Sequence, residues 1–206
     1  MNNFFKRILS SIILLPLVLF FLLSGSLYLI FFIIICFLVA TYEWNKIAKQ
    51  KNIKILGFIF LIFSFYTFYI IGNGYFWPIV LLICISTDIG GYIFGKIFGG
   101  PKLTKISPNK TYAGMIGGYL LSLISLSYYL SSVNIEISIE FLIMTILLST
   151  ASQVGDIIIS NFKRLSKVKD TGKIIPGHGG LLDRIDGMIF AFPLFYFFEI
   201  SGYLLK

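Results

Sequence analysis

Residues 152–187 read SQVGDIIISNFKRLSKVKDTGKIIPGHGGLLDRIDG. They hold four of the chain's nine acidic residues, six of its seventeen basic ones and its only histidine. The rest of the chain is greasy. Of its 206 residues, 57% are hydrophobic and 13% charged, where a soluble domain carries about 25% charged residues. That deficit predicts an all-α, polytopic membrane protein, with one membrane-embedded domain over 1–206 and no separate soluble domain.

On either side of the charged stretch, apolar runs are separated by polar or glycine-rich turns. Spans are expected at about 8–23, 27–41, 55–71, 76–94, 112–130, 139–162 and 187–205, about seven in all. The first has a basic start but no small-residue cleavage signal, and reads as a retained helix. Seven spans place the N-terminus and the loops at 43–54, 95–110 and 163–185 on one side. That side then holds 16 of the 17 Lys and Arg residues, and the other only Lys206. The bias puts those loops and the N-terminus in the cytoplasm.

The net charge of +8 lies in these loops. It therefore points to anionic lipid and phosphate substrates, with no nucleic-acid partner. Cys36 and Cys84 lie inside spans, so neither a disulfide framework nor a CxxC metal site is expected.

Two acids fall within spans, Asp88 and Asp156, both about 10 Å below the cytoplasmic end of their helix at 1.5 Å per residue. Acids at such depth are usually functional, and these two suggest a shared cation or polar cavity; helix-packing hydrogen bonds are the plainer alternative. Ser149, Gln153, Asp156, Ser160 and Lys163 are spaced 4, 3, 4 and 3. They form one polar stripe on an otherwise apolar helix, leading from a buried acid to the surface cations Lys163 and Arg164.

Asp183 and Asp186 share a helical face at the start of the last span. With Asp156 they offer hard oxygen ligands and no thiols, which suits magnesium and not zinc. A solvated helix start would explain the pair equally. Pro176-Gly177-His178-Gly179-Gly180 cannot be regular helix, and its glycines let backbone amides approach phosphate. His178 fits a general acid or base, a phosphate hydrogen-bonder or a loop anchor. No Walker-type loop is present. Ser107-Pro108-Asn109-Lys110-Thr111 opens the fifth span with hydroxyls and a lysine, as an anion site or a plain helix cap. Gly91, Gly95, Gly99, Gly114 and Gly118 recur every fourth residue and predict close helix packing; a homodimer through such spans is a further expectation.

Ser160-Asn161-Phe162-Lys163-Arg164, Lys169-Asp170, the Pro176–Gly180 turn and Asp183-Arg184-Ile185-Asp186 together resemble the signature of phosphatidate cytidylyltransferases, also called CDP-diacylglycerol synthases. Asp88 with its following glycines, and SPNKT with Gly114, Gly117 and Gly118, resemble the family's upstream blocks. The resemblance covers about 84–190. Ala113 stands where the family usually has an acidic residue, and the chain is shorter than many members.

The resemblance implies that CTP and phosphatidic acid give CDP-diacylglycerol and pyrophosphate at the cytoplasmic face of a bacterial inner membrane. It implies Mg2+, one cation or two, on Asp156 and Asp183 with help from Asp186 and Asp88. It implies that Lys163, Arg164, Lys169 and Arg184 neutralise phosphates, with His178 orienting. Ser107, Lys110, Thr111, Ser160, Asp170, Gly177, Gly179 and Gly180 would contact substrate. Buried acids and a polar stripe would also suit an ion-coupled transporter, but its charges belong near the midplane. A CTP-using lipid or polyprenol kinase is a further alternative. A CDP-alcohol phosphotransferase is excluded, because Asp186-Gly187 continues as MIFAF rather than the DGxxAR string.

Overall fold

The expected apolar runs are helices, and most continue about a turn past their greasy part. The computed structural model describes residues 3–104, 106–107 and 109–202, without the side chains of 3–11, 14–15 and 26. The expectations that touch Met1, Asn2, Pro108, Leu205 and Lys206 lie outside the described residues. The helices are α1 (Asn3–Ser24), α2 (Ser26–Ile47), α3 (Lys51–Asn73), α4 (Trp77–Phe98), α5 (Tyr112–Ser132), α6 (Ile139–Leu165), α7 (Leu182–Ile185) and α8 (Met188–Ile200). No strand occurs among the described residues; isolated bridges, Lys102 to Thr111 and Ile175 to Gly179, close two loops.

Among the described residues, five helices, α2 to α6, are long and apolar enough to cross a membrane. The polar loop expected at 43–54 is mostly helix: α2 runs on to Ile47 and α3 begins at Lys51. No proline or glycine falls in that stretch, so the chain leaves the helix only over 48–50, and long lysine side chains reach water from a helix end. The last expected span, 187–205, is the 13-residue α8 as far as the described residues reach. At 1.5 Å per residue it is about 20 Å long, short of a hydrocarbon core of about 30 Å.

The fold divides into two units. One holds the chain up to Tyr75 together with Phe162–Asp186; the other holds Phe76–Asn161 and the chain from Gly187. In the first, α2 packs on α1 and α3. Phe37 meets Phe65 edge-on with ring centroids 5.7 Å apart. The Trp44 indole donates to the Lys54 carbonyl at 3.3 Å, and its ring meets Phe162 edge-on at 4.8 Å. A side chain at Gly57 would collide with that ring. Ser166 donates to the Ile47 carbonyl, which ties the charged stretch to the end of α2.

In the second unit α4 and α5 form the closest pair. Gly90 meets the Gly117 backbone, and Gly114 meets the Gly91 carbonyl so closely that a Cβ on Gly90 or Gly114 would overlap backbone atoms. The repeated glycines are thus used within the unit, as small residues on paired helices are. α6 ends in a Schellman pattern. Val168 donates to the Lys163 carbonyl and Lys167 to that of Arg164, both at 3.0 Å, with Lys167 itself at φ 58°. A left-handed residue at this position is usually glycine.

Candidate active site

Each unit contains a carboxylate paired with a lysine. In the second unit, the stripe foreseen on α6 faces polar groups along its length. Ser149 is fully buried and accepts from Thr87 Oγ1 at 2.8 Å. Gln153 Nε2 lies 3.4 Å from Ser149 Oγ and 3.5 Å from the Met115 carbonyl. Asp156 follows one turn later. Its Oδ1 accepts from Ser160 at 3.1 Å, and its Oδ2 lies 2.5 Å from Lys110 Nζ. Its side chain keeps 31% of its exposure.

Lys110 reaches Asp156 because the α4–α5 connection is a tight loop. Gly99 (φ 58°) and Gly100 (φ 91°) end α4 in left-handed backbone, which glycine tolerates. Leu103 then donates to the Lys110 carbonyl at 2.8 Å, and Lys110 to that of Ser107 at 3.0 Å. Thr111 caps α5, accepting from the Gly114 amide at 3.1 Å. Its hydroxyl therefore has the capping role that was one of two readings for this motif. The expected partner acid in this unit, Asp88, is exposed on α4.

In the first unit Asp183 is enclosed. Its Oδ1 accepts from Lys163 Nζ at 2.7 Å. Its Oδ2 accepts from the Thr171 amide at 2.8 Å, the Thr171 hydroxyl at 3.0 Å and the Gly180 amide at 2.9 Å. Its side chain is 4% exposed and that of Lys163 11%. Asp183 and Asp186 do not open a long helix as expected: Asp183 lies in the four-residue α7, and Asp186 ends it.

The turn before α7 is set by proline and glycine. His178 donates to the Ile175 carbonyl at 3.0 Å, and Ile175 to that of Gly179 at 2.9 Å. Gly177 (φ 78°) and Gly179 (φ 90°) are left-handed, and Pro176-Gly177 suits the centre of a type II turn. Arg184 donates to the His178 carbonyl from Nε at 3.1 Å and Nη2 at 2.6 Å. Two of its five N–H groups therefore hold the turn. Gly179 has no room for a side chain, since one would meet Asp183 and Asp170. Arg164, Lys169 and Asp170 are exposed, and His178 and Asp186 are half-buried.

One residue was missed. Glu43 of α2 is completely buried. It accepts from the Leu181 and Leu182 amides at 3.1 and 2.8 Å and lies 2.9 Å from the Thr171 hydroxyl, whose one proton it shares with Asp183. The available signal was that Glu43 is the only acidic residue before Asp88, at the end of an apolar run.

Among the described residues no group of three or more His, Cys, Asp or Glu could hold a metal ion. Magnesium is often held by one or two carboxylates, with water and substrate phosphates completing its shell. Asp156 fits that use: it offers only oxygen and is a third exposed. Asp183 does not fit in this state, because its enclosed side chain already holds Lys163 on one oxygen and the Thr171 and Gly180 amides on the other.

The cytidylyltransferase family model matches residues 5–79 and 70–201. The chain belongs to the cytidylyltransferase family. Proteins named phosphatidate cytidylyltransferase are similar to it: that of Staphylococcus haemolyticus is 49% identical over 115 residues, 55% of this chain and 44% of the relative. Those of Staphylococcus saprophyticus and Staphylococcus aureus are 48% identical over the same length and shares. The matched segment thus spans less than half the length of these relatives.

Proposed function

We propose that the chain is a membrane-embedded phosphatidate cytidylyltransferase, converting CTP and phosphatidic acid to CDP-diacylglycerol and pyrophosphate. The observation that carries this is the pairing of family membership with two lysine–carboxylate centres in a helical membrane protein. A phosphate oxygen of the lipid attacks the α-phosphorus of CTP, the bond to the β-phosphate breaks, and pyrophosphate leaves. The nucleophile is already an anion, so no strong base is needed. The work is positioning and neutralising converging negative charge.

The roles follow from chemistry. Lys110 can turn from Asp156 to a phosphate, while Lys163, held on Asp183, presents its remaining N–H groups. Arg164 and Lys169 are exposed cations for the triphosphate or lipid phosphate, with Arg184 contributing its remaining N–H groups. Ser107, Thr111, Ser160, Asp170, Gly177, Gly179 and Gly180 remain proposed substrate contacts, and His178 orients a phosphate. Mg2+, when bound, would neutralise phosphate oxygens; Asp156 would hold it. Asp88 and Asp186 are proposed further ligands, and Asp183 joins them only by exchanging Lys163 for the cation.

We take 1–206 as one functional domain. It would cross a bacterial inner membrane about seven times, with the N-terminus and active site cytoplasmic. A homodimer is a separate proposal, because the glycines that suggested it already face each other between α4 and α5.

The test supplies purified protein in lipid nanodiscs with CTP, phosphatidic acid and Mg2+. The expected result is CDP-diacylglycerol that requires all three. Its absence from folded protein overturns the proposal.

A further inference from the structure

We propose that Glu43 is a positioning residue for cytidylyl transfer, fixing Asp183 and through it the ammonium of Lys163. The proposal rests on the reaction assigned above.

Glu43 is buried completely, and the contacts described for its side chain all come from donors: two amides and a hydroxyl. This is the surrounding of a carboxylate, which only accepts. A buried charge is costly unless it is hydrogen-bonded, so the three donors account for its place. They come from Thr171, Leu181 and Leu182, more than 120 residues away in sequence.

Thr171 links this acid to Asp183. Its Oγ1 lies 2.9 Å from Glu43 Oε2 and 3.0 Å from Asp183 Oδ2. A hydroxyl has one proton and can serve only one carboxylate at a time. Backbone amides serve the rest: Thr171 and Gly180 for Asp183, and Leu181 and Leu182 for Glu43. The two acids therefore hold the same loop through separate amides and share the one hydroxyl proton between them. Glycines make room for the clamp. A Cβ on Gly180 would strike Thr171 Oγ1 and both Glu43 oxygens, and one on Gly172 would strike Glu43 Oε1. The far end of the chain of contacts is Lys163, held on Asp183 at 2.7 Å. Groups that orient metal ligands commonly change affinity or activity about 10- to 100-fold when altered, and Glu43 stands in the same relation to Asp183 and Lys163.

The experiment uses the full chain in nanodiscs and four variants: Glu43→Gln, Thr171→Val, Thr171→Ser and Gly91→Ala as a packing control. Glu43→Gln is expected to lower kcat about tenfold or more, with KM for CTP within about threefold, as for an interaction made in the transition state. Thr171→Val should do the same, and Thr171→Ser, which keeps the hydroxyl, should recover most of the loss. Amide exchange in Glu43→Gln should rise over 168–186 and stay unchanged in α5.

If Glu43→Gln does not fold, the two Thr171 variants decide alone. Wild-type kcat per folded molecule in Thr171→Val or Glu43→Gln, beside an active wild type, overturns the positioning role and leaves the reaction standing. Equal losses in Thr171→Val and Thr171→Ser also overturn it. A folded but inactive wild type overturns the reaction and the positioning role together.

Discussion

Asp183 and Asp156 are each paired with a lysine, yet their surroundings differ. Asp183 is 4% exposed and held by a lysine, two amides and a hydroxyl. Asp156 is 31% exposed, and its described partners are Lys110 and Ser160. The first carboxylate is built into the loop that it organises. The second is a third exposed, and its carboxylate is open to solvent. Two acids that look alike in sequence should therefore fail in different ways when neutralised.

The largest expected effect is on stability. Asp183→Asn leaves the Lys163 ammonium buried without its counter-charge, and breaking such a pair costs about 3–5 kcal/mol. Chemical or thermal unfolding of the purified variant measures this; an unfolding free energy within about 1 kcal/mol of wild type would erase the contrast. Asp156→Asn comes next, and its effect falls on rate. Turnover should drop at least about a hundredfold, equivalent to about 2.7 kcal/mol. Stability should change by less than about 1 kcal/mol, as for other partly exposed pairs. A destabilised Asp156→Asn with normal turnover per folded molecule would reverse the assignment.

Glycine substitutions should have smaller effects. Gly180→Ala drives a methyl into Glu43 and Thr171, and overpacking of this kind costs about 1–3 kcal/mol. Gly91→Ala meets only the Gly114 carbonyl at 3.7 Å, an ordinary contact, so it should shift stability by less than about 0.5 kcal/mol. Both are read from unfolding curves. Equal effects would mean that the clamp around Glu43 is no tighter than the glycine face between α4 and α5.

The parts legible in the sequence were those with a period or a strong local signal. The stripe from Ser149 to Lys163 follows helical spacing, and hydrogen bonds meet it along its length. Pro176-Gly177 and Gly179 announced a turn that the backbone makes. Helix ends were harder. α6 stops at Leu165, and the left-handed backbone that turns the chain away, at Lys167, carries no glycine to mark it. α2 runs past Glu43 to Ile47 because nothing there interrupts a helix. The last apolar run hid a break after Asp186, where the buried Gly187 has no room for a side chain beside Ser152. Glu43 was read as the edge of a polar loop because its partners lie far along the chain. No local pattern could join it to Thr171, although an isolated acid at the end of an apolar helix was itself a signal.

The most direct test compares wild type and Asp156→Asn in the same nanodiscs, with CTP labelled at the α-phosphate, phosphatidic acid and Mg2+. Label should pass into lipid with the wild type and at least about a hundredfold more slowly with the variant, at matching unfolding temperatures. Folded wild type that transfers no label, or a variant that transfers it at the wild-type rate, would contradict the account.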